Sequence, residues 1–159
     1  MPGTGGDRGG RRKIVAAETG NDLWQGRYSP NGKWIAFENI RNKPEGFESA
    51  IFVVPAAGGE WVRITEGKHW DDKPRWSPDG KIIYFLSDRG GYFNVFGRRF
   101  NDAAGKAIGE TYQVTQFHDP NLMIPTLMPT AGLAVSQDQL IVTVSQGSGS
   151  IWVLDGVDR

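Results

Sequence analysis

Short apolar runs separated by polar turns repeat along this chain. Residues 24–37 read WQGRYSPNGKWIAF, and residues 73–85 repeat that pattern as KPRWSPDGKIIYF, so that Ser77 takes the place of Ser29. Each copy continues into further apolar runs, at residues 50–54, 62–65, 93–96 and 112–115. Because a fixed period of about 40 to 50 residues is typical of propeller blades or solenoid turns, the pattern predicts a repeat unit of four short strands.

The turn between the first two runs of each copy favours strands over helices. Pro30 and Pro78 preset φ at the first corner, and Gly32 and Gly80 can adopt the left-handed conformation that a bulged hairpin requires. The flanking runs are rich in β-branched and aromatic residues, as strands are. We therefore predict no helix. The predicted strands are residues 27–29, 33–38, 50–54 and 61–65, then 75–77, 81–87, 92–100 and 111–115.

A third and less regular copy follows a connector at residues 117–130, which is predicted to be a long irregular loop. Residues 136–144 align with the hairpin, after a wider interval than the one between the first two copies, and a further turn and strand are predicted at residues 147–150 and 151–154. Gln139 stands where the first two copies have glycine. We therefore expect this turn to be strained or to be of another type.

The second copy carries a resemblance to a known family. The pattern W-S-P-D-G-K-x-I-x-F at residues 76–85, followed by S-D-R-x-G at residues 87–91, resembles the repeat of TolB-type β-propellers, also called WD40-like or PD40 repeats. Similar repeats form C-terminal propellers of larger bacterial proteins, and residues 149–155 resemble the ends of such chains. The resemblance implies an all-β fold and a scaffold role, but no particular chemistry.

These repeats predict a partial propeller of about three blades, each with four antiparallel strands. We expect a flexible Gly- and Arg-rich tail at residues 1–12 and a partial propeller at residues 13–159. The predicted blades are residues 26–65, 74–115 and 132–155, with the strand 13–17 completing a blade. Because propellers use four to eight blades, two hypotheses remain open: two chains join head to tail into a six-bladed ring, or the chain is the tail of a longer protein.

Composition and charge exclude several classes of function. Eighteen basic and 18 acidic side chains give a formal charge of zero, so we predict no nucleic-acid partner. Cys is absent and His occurs only twice, so the chain has no thiolate or multi-His metal site. No apolar run approaches the length of a membrane-spanning helix and no signal-peptide core is visible, so we predict no membrane span and leave the compartment open.

No segment carries a known catalytic or cofactor-binding motif. A P-loop, a dinucleotide fingerprint, a zincin helix and an EF-hand loop are all missing, and the Gly-Ser repeat at residues 147–150 is interpreted as a hairpin turn. We therefore predict no catalytic residue, no metal, no cofactor and no enzymatic activity.

A candidate ligand-binding face is predicted from the segments that precede the first strands of the blades. Trp24 and Trp70 are assigned to equivalent loop positions, where they could form an aromatic platform, with His69, Asp72 and Arg89 on the same face. The alternative for the two tryptophans is packing against the next blade. The alternative for Asp72 is hydrogen bonding to loop amides, and for His69 a plain surface position.

Three functions remain open from the sequence. The first is a non-catalytic scaffold or sensor-like module that binds a protein, a peptide or a small ligand. The second is the regulatory propeller of a prolyl-oligopeptidase-like serine peptidase, whose hydrolase domain would lie outside this chain. The third is a purely structural assembly unit.

Overall fold

The chain folds into antiparallel β-sheets. The structure, a computed structural model, describes residues 15–44, 46–125 and 130–149, and these contain twelve strands and no helix. The first sheet consists of β1 (Asn21–Tyr28), β2 (Trp34–Lys43), β3 (Gly46–Pro55) and β4 (Val62–Arg63), in that spatial order. The second repeats this order with β5 (Asp71–Trp76), β6 (Ile82–Ser87), β7 (Asn94–Asn101) and β8 (Lys106–Gln113). Two blades of four antiparallel strands, as predicted, are therefore complete.

The third copy is smaller in the described region. It contains β9 (Leu122–Met123), β10 (Leu133–Val135), β11 (Leu140–Val142) and β12 (Ser145–Gln146). The strands β10 and β11 form a hairpin, as predicted, and β12 pairs with β9. The predicted connector is therefore not wholly irregular, because β9 lies within it.

The two Ser-Pro turns adopt the same hydrogen-bonded shape. The Ser29 amide donates to the carbonyl of Trp34 at 2.8 Å, and its hydroxyl donates to Asn31 Oδ1 at 2.8 Å. In the second blade the Ser77 amide donates to the carbonyl of Ile82 at 2.8 Å, and its hydroxyl donates to Asp79 Oδ1 at 2.6 Å. Gly32 and Gly80 both have φ of 70°. This match confirms the local shape that the repeat predicted.

The closing threonine of each blade forms a second repeated contact. Thr65 Oγ1 accepts the amide of Ile51 at 2.9 Å, and Thr115 Oγ1 accepts the amide of Val95 at 2.8 Å. Because each bond joins the end of a blade to its third strand, the outermost segment is held to the sheet beyond the end of its ladder.

Apolar side chains fill the space between the two complete blades. Alternate residues of β2 and β3, among them Ala36, Ile51 and Val53, are fully buried against the second blade. The second blade contributes Trp76, Ile83, Phe85, Phe96 and Phe100. The opposite face of the second blade packs on the third copy, through Leu86, Val95, Ile124, Ala131 and Leu133. Each sheet is thus one layer of a stack of sheets.

The first strands of the blades begin earlier than predicted. β1 begins at Asn21 rather than at residue 27, and β5 at Asp71 rather than at residue 75. In both strands the register shifts, between Trp24 and Arg27 and between Asp72 and Arg75. Such a β-bulge breaks the alternation of apolar and polar positions, so the sequence pattern shows only the part of each strand beyond the bulge.

The turn of the third copy changes type rather than adopting a strained conformation. Among the described non-glycine residues only Gln25 and Lys73 have positive φ, so Gln139 does not occupy the left-handed position that Gly80 occupies. The Ser136 amide donates to the Gln139 carbonyl at 2.8 Å, which closes the hairpin.

Several predicted segments fall wholly or partly outside the described residues. The tail at residues 1–12 and the strand at residues 151–154 lie outside them. Of the predicted strand 13–17, residues 13 and 14 lie outside and residues 15–17 form no strand. Completion of a blade by this segment therefore stays a prediction.

We expect Gly80→Ala to destabilise the chain by about 1–2 kcal/mol, because alanine in the left-handed region clashes with its own backbone. The surroundings are not the cause, since an added Cβ would meet only Pro30 Cδ at 3.6 Å. Urea denaturation measures the effect. Gly90→Ala is the control, because no heavy atom lies within 4 Å of an added Cβ there and its φ is not in the left-handed region. Equal losses from both changes would contradict the assignment.

Candidate functional site

A cleft of about 290 Å³ opens where the first two blades meet. Trp24 and Gln25 of β1 form one side, and Asp72 and Lys73 of β5 form the other. The remaining lining residues are Glu38, Ile40 and Trp70. The structure thus brings together three of the five predicted site residues: Trp24, Trp70 and Asp72.

Two residues with an unusual backbone conformation border this cleft. Gln25 has φ of 57° and Lys73 has φ of 55°, and each occupies the bulge of its strand. They hold the same position in the two copies of the repeat, as do the two Ser-Pro turns. Left-handed backbone costs non-glycine residues about 1–2 kcal/mol, and such conformations cluster at functional sites. Each of the two blades therefore has one residue with left-handed backbone at this cleft.

The structure places two of the predicted site residues, Trp24 and Asp72, in strands rather than in loops. Trp24 lies within β1 and pairs with Glu38, while Asp72 lies within β5 and pairs with Leu86. The counterpart of Trp24 in the second blade is therefore Asp72, and not Trp70. The prediction that Trp24 and Asp72 lie in face loops was wrong, because the strand continues past the bulge toward its N-terminal end.

A buried pair of carboxyl groups forms the floor of the cleft. Burial, followed by a hydrogen bond to Asp72, raises the pKa of Glu38 to about 9. Glu38 therefore holds a proton at neutral pH, and its hydrogen bond with Asp72 favours this protonated form. Lys73 Nζ donates to Asp72 Oδ2 at 2.9 Å, and Ser49 Oγ lies 3.0 Å from Glu38 Oε1. The floor is polar but carries no net charge.

The walls of the cleft are aromatic and accessible. The Trp24 residue is 58% exposed although it lies on a strand. Trp70 is half-buried, and its ring packs edge-on against Phe47 with 6.2 Å between ring centroids. An exposed indole beside a second indole, above a polar floor without net charge, is suited to an apolar or aromatic group of a ligand.

His69 and Arg89 do not line the cleft. His69 is exposed, with Nδ1 3.6 Å from Asp88 Oδ1. Arg89 is half-buried and donates to Asp71 Oδ1 and to Ser87 Oγ, each at 2.9 Å. Its guanidinium also lies over two aromatic rings, those of Phe85 at 5.4 Å and Phe96 at 5.0 Å. These contacts hold the strand ends of the second blade together.

Asp71 is the buried partner of this arginine. It is fully buried at the start of β5, where burial raises the pKa of its carboxyl although Ser87, Thr65 and Arg89 oppose the shift. A buried carboxylate needs a cation to remain ionised. Arg89 is thus a structural partner of Asp71 in the second blade.

Sequence reasoning missed Glu38, Gln25 and Lys73. For Glu38 a signal existed, because it is an acidic residue directly after the apolar run at residues 34–37 and, two positions after Ala36, shares the face of Ala36 toward the second blade. The bulge residues left no such signal, since neither is glycine.

Metal-binding and membrane-spanning features are absent from the described residues. Within residues 15–44, 46–125 and 130–149, no three His, Asp or Glu side chains come together in a way that could hold a metal ion. The same part of the chain forms no helix with the length and apolar character that crossing a bilayer requires.

Comparison with known proteins identifies the family. Residues 8–151 match the family model PD40, described as the TolB beta propeller domain. The chain belongs to the TolB β-propeller family. Domains of this family are typically non-catalytic, and propeller domains commonly mediate protein interactions.

The similar proteins are longer than this chain. The chain is 33% identical over 67 residues to "Uncharacterized peptidase YuxL" of Bacillus subtilis, a match to 41% of this chain and 10% of the relative. It is 31% identical over 98 residues to "Uncharacterized protein Atu1656" of Agrobacterium fabrum, covering 62% and 32% of the two chains. The chain therefore spans a third or less of each of these relatives.

A solved structure shares the fold. TolB from Acinetobacter baumannii superposes with a TM-score of 0.56 at 21% identity, over 86% of this chain and 32% of that structure. At this identity the likeness concerns the propeller fold alone.

We expect Arg89→Gln to lower the free energy of unfolding by about 3–5 kcal/mol, because it leaves the buried Asp71 carboxylate without its cation. Arg41→Gln is the matched control. The Arg41 ion pair with Glu18 is solvent-exposed and screened, so its loss should cost less than about 1 kcal/mol. Urea denaturation of the natural chain, Arg89→Gln and Arg41→Gln measures the difference. If Arg89→Gln were as stable as the natural chain, Arg89 would not be needed as the partner of Asp71 and would again be a candidate ligand contact.

Stability should fall as pH rises from about 4.5 toward 9, because folded Glu38 keeps the proton that the unfolded chain releases near its usual pKa of 4.5. Glu38→Gln retains a hydrogen-bond donor without titrating, so its stability should depend less on pH. The measurement is the difference in unfolding free energy between the two chains at pH 6 and pH 9. If the difference in unfolding free energy between the natural chain and Glu38→Gln were the same at pH 6 and pH 9, the raised pKa of Glu38 would be contradicted.

Proposed function

We propose that this chain is a non-catalytic binding module that recognises a protein or peptide partner through the cleft of Trp24 and Trp70. The observation that supports this function is the exposed Trp24 indole at the junction of two blades, above the polar floor of Glu38, Asp72 and Lys73. Tryptophan is enriched among the residues that contribute most of the binding energy at protein interfaces.

The cleft favours insertion of an apolar side chain from the partner. Its volume of about 290 Å³ is at the lower limit of small-ligand sites, which suits one side chain better than a large cofactor. The polar floor can accept a hydrogen bond from the partner's backbone, since each carboxyl oxygen has more than one acceptor site. Aromatic and aliphatic residues of an extended peptide meet these requirements.

We expect Trp24→Ala to abolish peptide capture without lowering stability. A random heptapeptide phage library is panned against the natural chain, against Trp24→Ala and against Tyr28→Ala. Tyr28 is the control, because it is 66% exposed on the same strand but does not line the cleft. Peptides enriched on the natural chain and on Tyr28→Ala, but not on Trp24→Ala, are the expected result.

Other results of this selection would reject the proposal. If no enriched peptide lost its enrichment on Trp24→Ala, peptide binding would lie elsewhere on the chain. A large loss of thermal stability in Trp24→Ala, with enrichment unchanged, would assign the indole to packing. A fluorophosphonate probe that labelled this chain would overturn its non-catalytic character.

A regulatory role beside a peptidase is the second candidate. The relative named as a peptidase in Bacillus subtilis favours it, although the matched segment is only 10% of that protein. In this role the cleft would contact substrate or the hydrolase domain, and the catalytic groups would lie outside this chain. A purely structural role would be distinguished by the absence of any enriched peptide.

We also propose that further blades complete the ring in the working protein. They could come from a second copy joined head to tail, or from further blades of a longer chain. Light scattering tests the first arrangement, for which we expect a native mass twice the 17.5 kDa of one chain. A stable species with the 17.5 kDa mass of one chain would count against the homodimer.

A further inference from the structure

A second cavity, of about 450 Å³, lies beside the first strands of the blades. Gln25 and Lys73 border both this cavity and the cleft of Trp24. Its other lining residues include Arg75 of β5, Leu133 of β10, Ile141 of β11 and Thr143. The cavity is therefore built by all three copies of the repeat, and the tryptophans are not part of it.

Two arginines recur at equivalent positions of the repeat: Arg75 lines the cavity, and Arg27 does not line it but lies close enough to Arg75 for their charges to interact. Arg27 and Arg75 each stand two positions before the serine of a Ser-Pro turn, in successive copies of the repeat. Arg75 donates from Nε to the Leu133 carbonyl at 2.7 Å and from Nη1 to the Pro74 carbonyl at 2.8 Å. Arg27 donates to the adjacent Gly26 carbonyl at 2.9 Å. Within the described ranges, neither guanidinium forms an ion pair with a carboxylate.

The electrostatic setting leaves this pair of cations without a counter-ion among the described residues. Burial lowers the pKa of Arg75, and the positive charge of Arg27 lowers it further. Asp72 opposes the shift, but its carboxylate already accepts from Lys73 and from Glu38. A guanidinium that is partly desolvated and close to a like charge is stabilised by an anion. Because the whole chain has no net charge, this attraction is local.

The opposite wall of the cavity is apolar. Ala134 occupies the position of the third copy that corresponds to Arg75, and Ala131, Leu133 and Ile141 lie beside it. A hydrated phosphate ion would leave this wall without a contact. A carboxylate carried on an aliphatic stem would satisfy both walls, because it can accept from Arg75 Nη2, which does not share the bonds to Leu133 and Pro74, while its stem contacts the apolar side.

We propose that Arg75 and Arg27 form a second binding site, which recognises the carboxylate of an acidic peptide segment while the third copy of the repeat contacts its aliphatic part. This site is separate from the cleft of Trp24 and does not require that cleft to bind a ligand. It assigns the repeated arginine a role beyond the carbonyl contacts that Arg75 makes with Leu133 and Pro74.

The test uses the full chain and a capped Leu-Glu-Leu peptide, followed by NMR titration. The peptide with Gln in place of Glu, and inorganic phosphate, are the comparison ligands. We expect Arg75→Gln to weaken binding of the Glu peptide about tenfold or more, since it removes a charged hydrogen-bonding partner. Arg27→Gln should weaken it several-fold. Arg99→Gln, which removes the same charge from an exposed site that lines another cavity, should leave it unchanged.

The variants separate a binding effect from a folding effect. Arg75 also joins the second blade to Leu133, so Arg75→Gln could unfold this contact, whereas the Arg27 side chain is exposed and donates to the adjacent Gly26 carbonyl. Weaker binding by a folded Arg27→Gln chain therefore supports the site even if Arg75→Gln is unstable. Equal binding of the Glu and Gln peptides, equal losses in Arg27→Gln and Arg99→Gln, or binding of phosphate alone would each overturn it.

The same titration distinguishes this site from the proposed peptide cleft. Trp24→Ala should bind the Glu peptide as the natural chain does. If Trp24→Ala abolished that binding, the peptide would occupy the cleft, and the carboxylate site would be rejected while the proposed function stood. If only the arginine variants lost binding, the carboxylate site would be supported whatever the outcome of the phage selection.

Discussion

Burial of both faces of each sheet is the constraint on which this structure depends. In β2 and β3 neighbouring residues point to opposite faces, yet both faces are apolar: Ala36, Ile51 and Val53 face the second blade, whereas Phe37, Phe52 and Val54 face away from it. A sheet with two apolar faces is stable only between two other layers. Stacking of the repeats therefore follows from their composition, and a functional site must lie at an edge or a junction of the stack.

The junction of the first two blades concentrates the unusual chemistry. Glu38 and Asp72 belong to different blades, and the proton between them links the two sheets where apolar packing gives way to solvent. The bulges at Gln25 and Lys73 bend the first strands of the two blades beside the cleft. The neighbouring side chains of Trp24 and Asp72 line the cleft as a result. The strained residues, the buried carboxyl pair and the accessible indole thus have one location in common.

The two proposed sites share one structural origin. The first strand of each complete blade ends in the same turn geometry, and the positions before that turn carry a guanidinium in two copies and an alanine in the third. The positions before the bulge carry a tryptophan in one blade and an aspartate in the next. Because the backbone of the two complete blades is alike, differences in these side chains produce an aromatic cleft and a cationic cavity.

The amino-acid sequence by itself determined the all-β class, the period of the blades and the shape of the turns, because Pro, Gly and a serine hydroxyl act within a few residues of one another. It also indicated Trp24, Trp70 and Asp72, although for two of them it predicted a loop position where the structure has a strand. Only the tertiary structure decided that these three share a cleft with Glu38, and that Arg89 is the partner of buried Asp71. Those relations join strands of different blades across bulges that interrupt the alternating pattern, and burial at a junction between sheets is not encoded in the spacing of residues along one strand.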